Sequence, residues 1–183
     1  RPVRPSRLFQ FGGVRVVDIV LEEGGRSKPR LAGPDARSVI RFNLAHAGDL
    51  ALCAVVLEAD VGIDIESLRP RPRMARLVRR FFAPEEARAF EGLAEPARTE
   101  AFYRAWTVKE SVLKAHGRGV HGALDTVVVS LDPAAPPVLR AAPGRGDEWT
   151  LKSFRPEPGY LAACAVRGAV GNWRFFDWTA SSG

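Results

Sequence analysis

Two short stretches concentrate the residues able to do charge and proton chemistry. In 61–66 (VGIDIE), successive residues of an extended strand point to opposite sides, so Val61, Ile63 and Ile65 share one face and Gly62, Asp64 and Glu66 the other. In 96–116, Tyr103, Thr107, Glu110 and Lys114 recur at i, i+4, i+7 and i+11, which makes Glu110 and Lys114 neighbours on one helix face. Each pattern has a bland reading: polar residues on the solvent side of a strand, and an exposed ion pair worth roughly a few tenths of a kcal/mol. The chemical reading starts from repulsion. Two acids on one strand face repel each other, and a divalent cation relieves that. Hard carboxylate oxygens suit Mg²⁺, which takes a few acids together with phosphate oxygens and water. With Glu110 as a third carboxylate and Lys114 neutralising the same phosphates, the set suits phosphoryl-type transfer, where positioning and charge stabilisation supply most of the catalysis. Spacing alone leaves both readings open.

These residues need elements to hold them. The continuous apolar run 50–57 predicts a strand buried on both faces, and the short connection Glu58-Ala59-Asp60 predicts a hairpin with 61–66. The prolines of 67–73 exclude a helix interior. Pro84-Glu85-Glu86 opens a helix, because proline suits the first turn and acids oppose the positive dipole end. A longer helix spans 96–116, with Phe102, Ala105, Trp106, Val112 and Leu113 as its core stripe, and Gly117 and Gly119 stop it. Further strands are predicted at 14–22, 124–131, 148–154, 160–166 and 173–178. Cys-Ala-Val recurs at 53–55 and 164–166, a hint of two related halves. The fold class is α+β.

Composition narrows the classes. The 183 residues, 46% hydrophobic and 26% charged, suffice for one compact unit or two small lobes. No apolar run approaches the roughly 20 residues that cross a bilayer. The start has charge but no apolar segment of a signal peptide, and it does not begin with Met, so the chain reads as a trimmed version of something longer. Cys53 and Cys164 sit in apolar runs and read as buried reduced thiols, which favours the cytoplasm. A net charge of +6 and a pI near 10.0 favour anionic partners: nucleic acid, a phosphorylated ligand or an acidic protein. His116 reads as a structural residue at a helix end, and Trp149, Trp173 and Trp178 as core aromatics. No phosphate-binding P-loop, dinucleotide fingerprint or nucleophile elbow is present.

VGIDIE (61–66), RRFF (79–82) and FYRAWTVKESVLKAHGRGV (102–120), in that order, closely resemble the 4′-phosphopantetheinyl transferase superfamily. Its paired signatures, G-x-D-x-E and W-S/T-x-K-E-S/A-x-x-K, are here Gly62, Asp64, Glu66 and Trp106, Thr107, Lys109, Glu110, Ser111, Lys114. FNLAHA (42–47), Lys28-Pro29 and the strand 159–165 extend the likeness over about 24–166, in the pattern of the longer, surfactin-synthetase-activating type. That resemblance implies a pseudodimer of two similar α/β lobes, each a small antiparallel sheet packed with a long helix. The N-terminal lobe would be 1–59, incomplete at its start, and 60–183 would carry the signature. The implied reaction moves phosphopantetheine from coenzyme A to a serine of an acyl or peptidyl carrier protein and releases 3′,5′-ADP. Asp64, Glu66 and Glu110 would hold Mg²⁺, and Glu110 would also take the serine proton. Lys114 would sit on the phosphates, with Lys109 as a second basic residue near them. Lys28 and His46 would bind the 3′-phosphate region. Arg76, Arg79 and Arg80 would dock the acidic carrier, and the enzyme would act as a monomer without nucleic acid or membrane. The chain departs from the family at Ala45 and Ala47, where hydroxyls often flank the histidine, at Ala83, where a serine often caps the next helix, and in its short front. Glu86 matches a family acid and reads equally as a first-turn helix acid. The alternatives are a truncated, inactive CoA-binding relative, a basic nucleic-acid-binding protein and a metal-dependent nuclease.

Overall fold

A computed structural model describes residues 21–22, 30–31, 37–69, 71–117, 124–132, 135–143 and 148–177. In chain order these form β1 (Leu21–Glu22), β2 (Arg30–Leu31), β3 (Ile40–Ala47), β4 (Leu50–Leu57), β5 (Val61–Ser67), α1 (Met74–Phe81), α2 (Pro84–Glu91), α3 (Ala97–His116), β6 (Val128–Val129), β7 (Leu139–Ala141), β8 (Trp149–Phe154) and β9 (Tyr160–Arg167). The architecture is α+β, with small antiparallel sheets packed on a long helix.

Three layers stack around β5 and β9. The middle layer is the antiparallel sheet β5-β9-β8. On one side lies α3, with Val108, Val112 and Leu113 against Ala163 and Ala165. On the other lies the β3–β4 hairpin, whose Ala45 packs with Val61, Ile63, Ile65, Ala162, Cys164 and Val166. The strict alternation of β5 sends its three β-branched residues to the hairpin and Gly62 and Asp64 towards the helix. Alanines at 163 and 165 keep the helix side of β9 shallow. Asn43 joins the hairpin to the sheet: its side-chain oxygen accepts the Ile63 N–H at 2.8 Å, in a buried position.

Some expectations need correction. The strand 50–57 is present, but it pairs with β3 and not with 61–66, whose backbone partner is β9. Nor is β4 buried on both faces. Ile40, Leu44, Val55 and Leu57 leave an exposed apolar outer face, and Cys53 on the same face is exposed. Continuous apolarity looked like double burial because the outer residues are as apolar as the inner ones. Cys164 is buried, and burial pushes its thiol up to about 12, so it stays an unreactive thiol. The stretch 124–131 is a single 3₁₀ turn followed by the two-residue β6, and 173–177 forms no strand. Helix α1 was not anticipated from sequence. The predicted strand 14–22 lies outside the described residues except for its last two, as do Lys28, His121 and Trp178. Among the described residues no helix is long and apolar enough to cross a membrane.

Candidate active site

The site forms where α3 lies against β5. Gly62 makes that approach possible: a Cβ there would overlap the Ser111 carbonyl oxygen and the Ala115 nitrogen of α3. Any side chain would hold the helix off the strand. The contact places Asp64, two residues on, beside the last turns of α3. The Lys114 ammonium donates to Asp64 Oδ1 at 2.6 Å and to the Ile63 carbonyl at 3.1 Å. The two signatures, 50 residues apart in sequence, therefore meet in one charged contact. Glu110 lies one helical turn before Lys114, and both Asp64 and Glu110 are more than nine-tenths buried. Glu66, at the partly exposed rim, accepts from Arg71 at 2.9 Å.

Burial dominates the electrostatics here. It pushes the Asp64 carboxyl up to about 6 against the pull of the Lys114 ammonium, with Glu66 adding repulsion. It pushes Glu110 up to about 7, reinforced by the negative charge of Asp64 and, more weakly, of Glu66. The three acids therefore share one field. Asp64 Oδ2 is buried with no hydrogen-bond partner. As the side chains lie, no three acids, histidines or cysteines among the described residues are grouped to hold a metal ion, and Lys114 occupies Asp64 instead.

Lys109 requires a correction. The sequence placed it near the phosphates, but its side chain is 0% exposed. Its ammonium donates to Glu86 Oε2 at 2.7 Å, to the Leu124 carbonyl at 3.0 Å and to the Val127 carbonyl. Burial pushes its pKa down, while Glu86 opposes that shift. No proton of this ammonium is left for a phosphate. Glu86 is likewise buried, and its carboxylate accepts from the Ala83 N–H as half of a capping box whose other half Ala83 cannot supply.

His46 is exposed on β3, opposite Ala51 on the outer side of the hairpin, and is not brought to the acids. Arg76, Arg79 and Arg80 are exposed on α1, whose Met74 and Val78 face the core. Arg71 holds Glu66 and stacks over the Tyr103 ring at 5.5 Å, contacts that its place in the basic run 69–80 did not indicate. Sequence reasoning missed Asn43, whose signal was one asparagine inside an apolar run.

Sequence similarity to known proteins points to one family. The sequence model of the 4′-phosphopantetheinyl transferase superfamily matches residues 60–165. The chain is 36% identical over 168 residues to 4′-phosphopantetheinyl transferase HetI of Nostoc sp. (strain PCC 7120), covering 92% of this chain and 69% of that protein. It is 31% identical over 162 residues to 4′-phosphopantetheinyl transferase Sfp of Bacillus subtilis (strain 168), covering 88% and 68%. A Synechocystis relative is 38% identical over 132 residues, covering 71% of this chain and 52% of that protein. The chain thus spans between about half and seven-tenths of these relatives' lengths.

Proposed function

The chain belongs to the 4′-phosphopantetheinyl transferase superfamily, among its longer, Sfp-like members, and we propose that it transfers the phosphopantetheine group of coenzyme A to a carrier-protein serine, releasing 3′,5′-ADP. The observation that carries this reading is the Lys114–Asp64 contact across the strand–helix seam, which unites both signatures in one partly buried charged site.

The residues fit a hard divalent cation. The donors are all carboxylate oxygens, one of them buried and unpartnered, and their repulsion is what a cation would relieve. Asp64, Glu66 and Glu110 would hold Mg²⁺, and the ion would supply charge neutralisation for a bound pyrophosphate. The protein's own groups do the rest. Lys114 has its ammonium in the site and would exchange Asp64 for phosphate oxygens, stabilising the departing 3′,5′-ADP. Glu110, whose carboxyl burial raises to about 7 before a cation is bound, would accept the proton of the serine hydroxyl. His46, together with Lys28 outside the described residues, would contact the 3′-phosphate region, and Arg76, Arg79 and Arg80 would meet the carrier's acidic surface.

The test is the intact mass of an apo carrier protein after incubation with this protein, CoA and Mg²⁺, beside an EDTA control. A metal-dependent gain of one phosphopantetheine group is expected. Unchanged mass across several carrier proteins, with CoA still bound, would favour an inactive CoA-binding relative.

A further inference from the structure

A second charged cluster lies directly beside the site and takes no part in the chemistry above. Glu86 receives three donors: the Ala83 N–H at 2.7 Å and the Lys109 ammonium at 2.7 Å on Oε2, and the Val129 N–H at 2.8 Å on Oε1. Lys109 gives its three protons to Glu86, Leu124 and Val127, and its ammonium stands 4.7 Å from the centre of the Phe82 ring. Both side chains are at most 1% exposed. A buried ion pair seldom adds net stability, so retaining one calls for another reason.

That reason lies in what the pair connects. Phe82 and Ala83 form the elbow between α1 and α2, and residues 124–129 form the segment beside it. Lys109 belongs to α3 and immediately precedes Glu110. One saturated pair therefore ties three chain segments together at a single point. We propose that Glu86 and Lys109 are positioning residues that lock α3 to the α1–α2 elbow, so that Glu110 and the basic helix α1 are held as one rigid body. This rests on the transferase reading for its kinetic consequence, though not for its structural one.

The experiment compares wild type with Lys109→Met, Glu86→Gln and the double variant Lys109→Met/Glu86→Gln. The double variant removes both charges and leaves neither one buried without a partner, while the glutamine oxygen still accepts one of the two backbone N–H groups that Glu86 serves. Each is assayed at a temperature where circular dichroism shows it folded, together with its Tm and its CoA affinity. Positioning predicts that Lys109→Met lowers kcat by about ten- to a hundredfold with CoA affinity within about twofold, the cost of misplacing a reacting group. The double variant should regain part of both Tm and kcat, because no unpaired charge is left buried. Unchanged kcat in folded Lys109→Met would overturn positioning and leave a purely structural pair. CoA affinity weakened alike in the single and double variants would instead make Lys109 a phosphate contact. Amide hydrogen exchange supplies a readout independent of turnover. Protection should fall together in 82–86 and around Glu110, and loss in the elbow alone would overturn the link. If wild type transfers nothing, the transferase reading fails, while hydrogen exchange and Tm still judge the pair. Should Lys109→Met not fold, Glu86→Gln and the double variant carry the same comparison.

Discussion

At the scale of single residues, the site carries buried negative charge. Glu110 is held at about 7 and Asp64 at about 6, both above the ordinary carboxylate range. Between those ordinary values and the raised ones the folded protein binds more protons than the unfolded chain. Stability is therefore greatest below about pH 4 as far as these groups are concerned, and it falls as pH rises through 6 and 7. Glu110→Gln should raise the metal-free Tm at pH 8, by on the order of 1–3 kcal/mol of stability, and flatten its pH dependence, while abolishing transfer. Thermal melts from pH 5 to 8 check this, and a lowered Tm at pH 8 would show that Glu110 is not strained by charge. Millimolar Mg²⁺ should raise the Tm of wild type at pH 8 and do little for Glu110→Gln, because binding to the folded state alone stabilises it. Lys114→Ala should raise KM for CoA and lower kcat, each by roughly ten- to a hundredfold, the worth of a charge-assisted hydrogen bond. Unchanged kinetics would reduce Lys114 to a structural partner of Asp64. At this scale much was legible from sequence. Helical and strand periodicity put Glu110 with Lys114 and Asp64 with Glu66, and the family signature joined the two sets. The fate of Lys109 was not legible, because its partner Glu86 is 23 residues away and periodicity is blind to such a contact.

At the scale of elements, local rules located α2 and α3 but not α1, and the strand partners poorly. Pro84 at the start of α2, the left-handed Gly117 after α3 and the alternation of β5 are all written in adjacent residues. Which strand pairs with β5 is not. β9 lies about a hundred residues on, and a short link after β4 suggested a hairpin that the three-layer packing overrides. The close seam between β5 and α3 gives a sharp test. Gly62→Ala should destabilise the protein by about 1–3 kcal/mol or more, since the new methyl meets helix backbone and cannot be relieved by a rotamer change. Activity should fall further than stability, because the displaced helix carries Glu110 and Lys114. Gly92→Ala is the control. Its φ is −76°, and a methyl there meets nothing closer than 3.6 Å, so it should be neutral in both Tm and turnover. Equal effects of the two substitutions would show that the seam is looser than the structure has it.

At the scale of the whole molecule, the question is where the net charge of +6 acts. The acids cluster at the β5–α3 seam, whereas α1 turns Arg76, Arg79 and Arg80 outward and buries Met74 and Val78 beneath them. Under the proposed function, this short amphipathic helix with a basic outer face, joined at the Phe82–Ala83 elbow to the helices that follow, would meet the acidic surface of the carrier. Such charges act mainly on encounter: they raise the association rate, and salt screens them within about 10 Å at 0.1 M. Replacing Arg76, Arg79 and Arg80 together by Glu should therefore raise KM for an acidic carrier protein by about tenfold or more at low salt, with KM for CoA unchanged under the proposal that CoA binds at the seam. Raising salt should weaken wild type and relieve the variant, so that the two converge. The measurement is a salt series of kcat/KM for both substrates. If the variant loses CoA affinity instead, α1 belongs to the nucleotide site. If neither substrate responds, the basic helix does not dock the carrier, and the partner must approach from another side of the site.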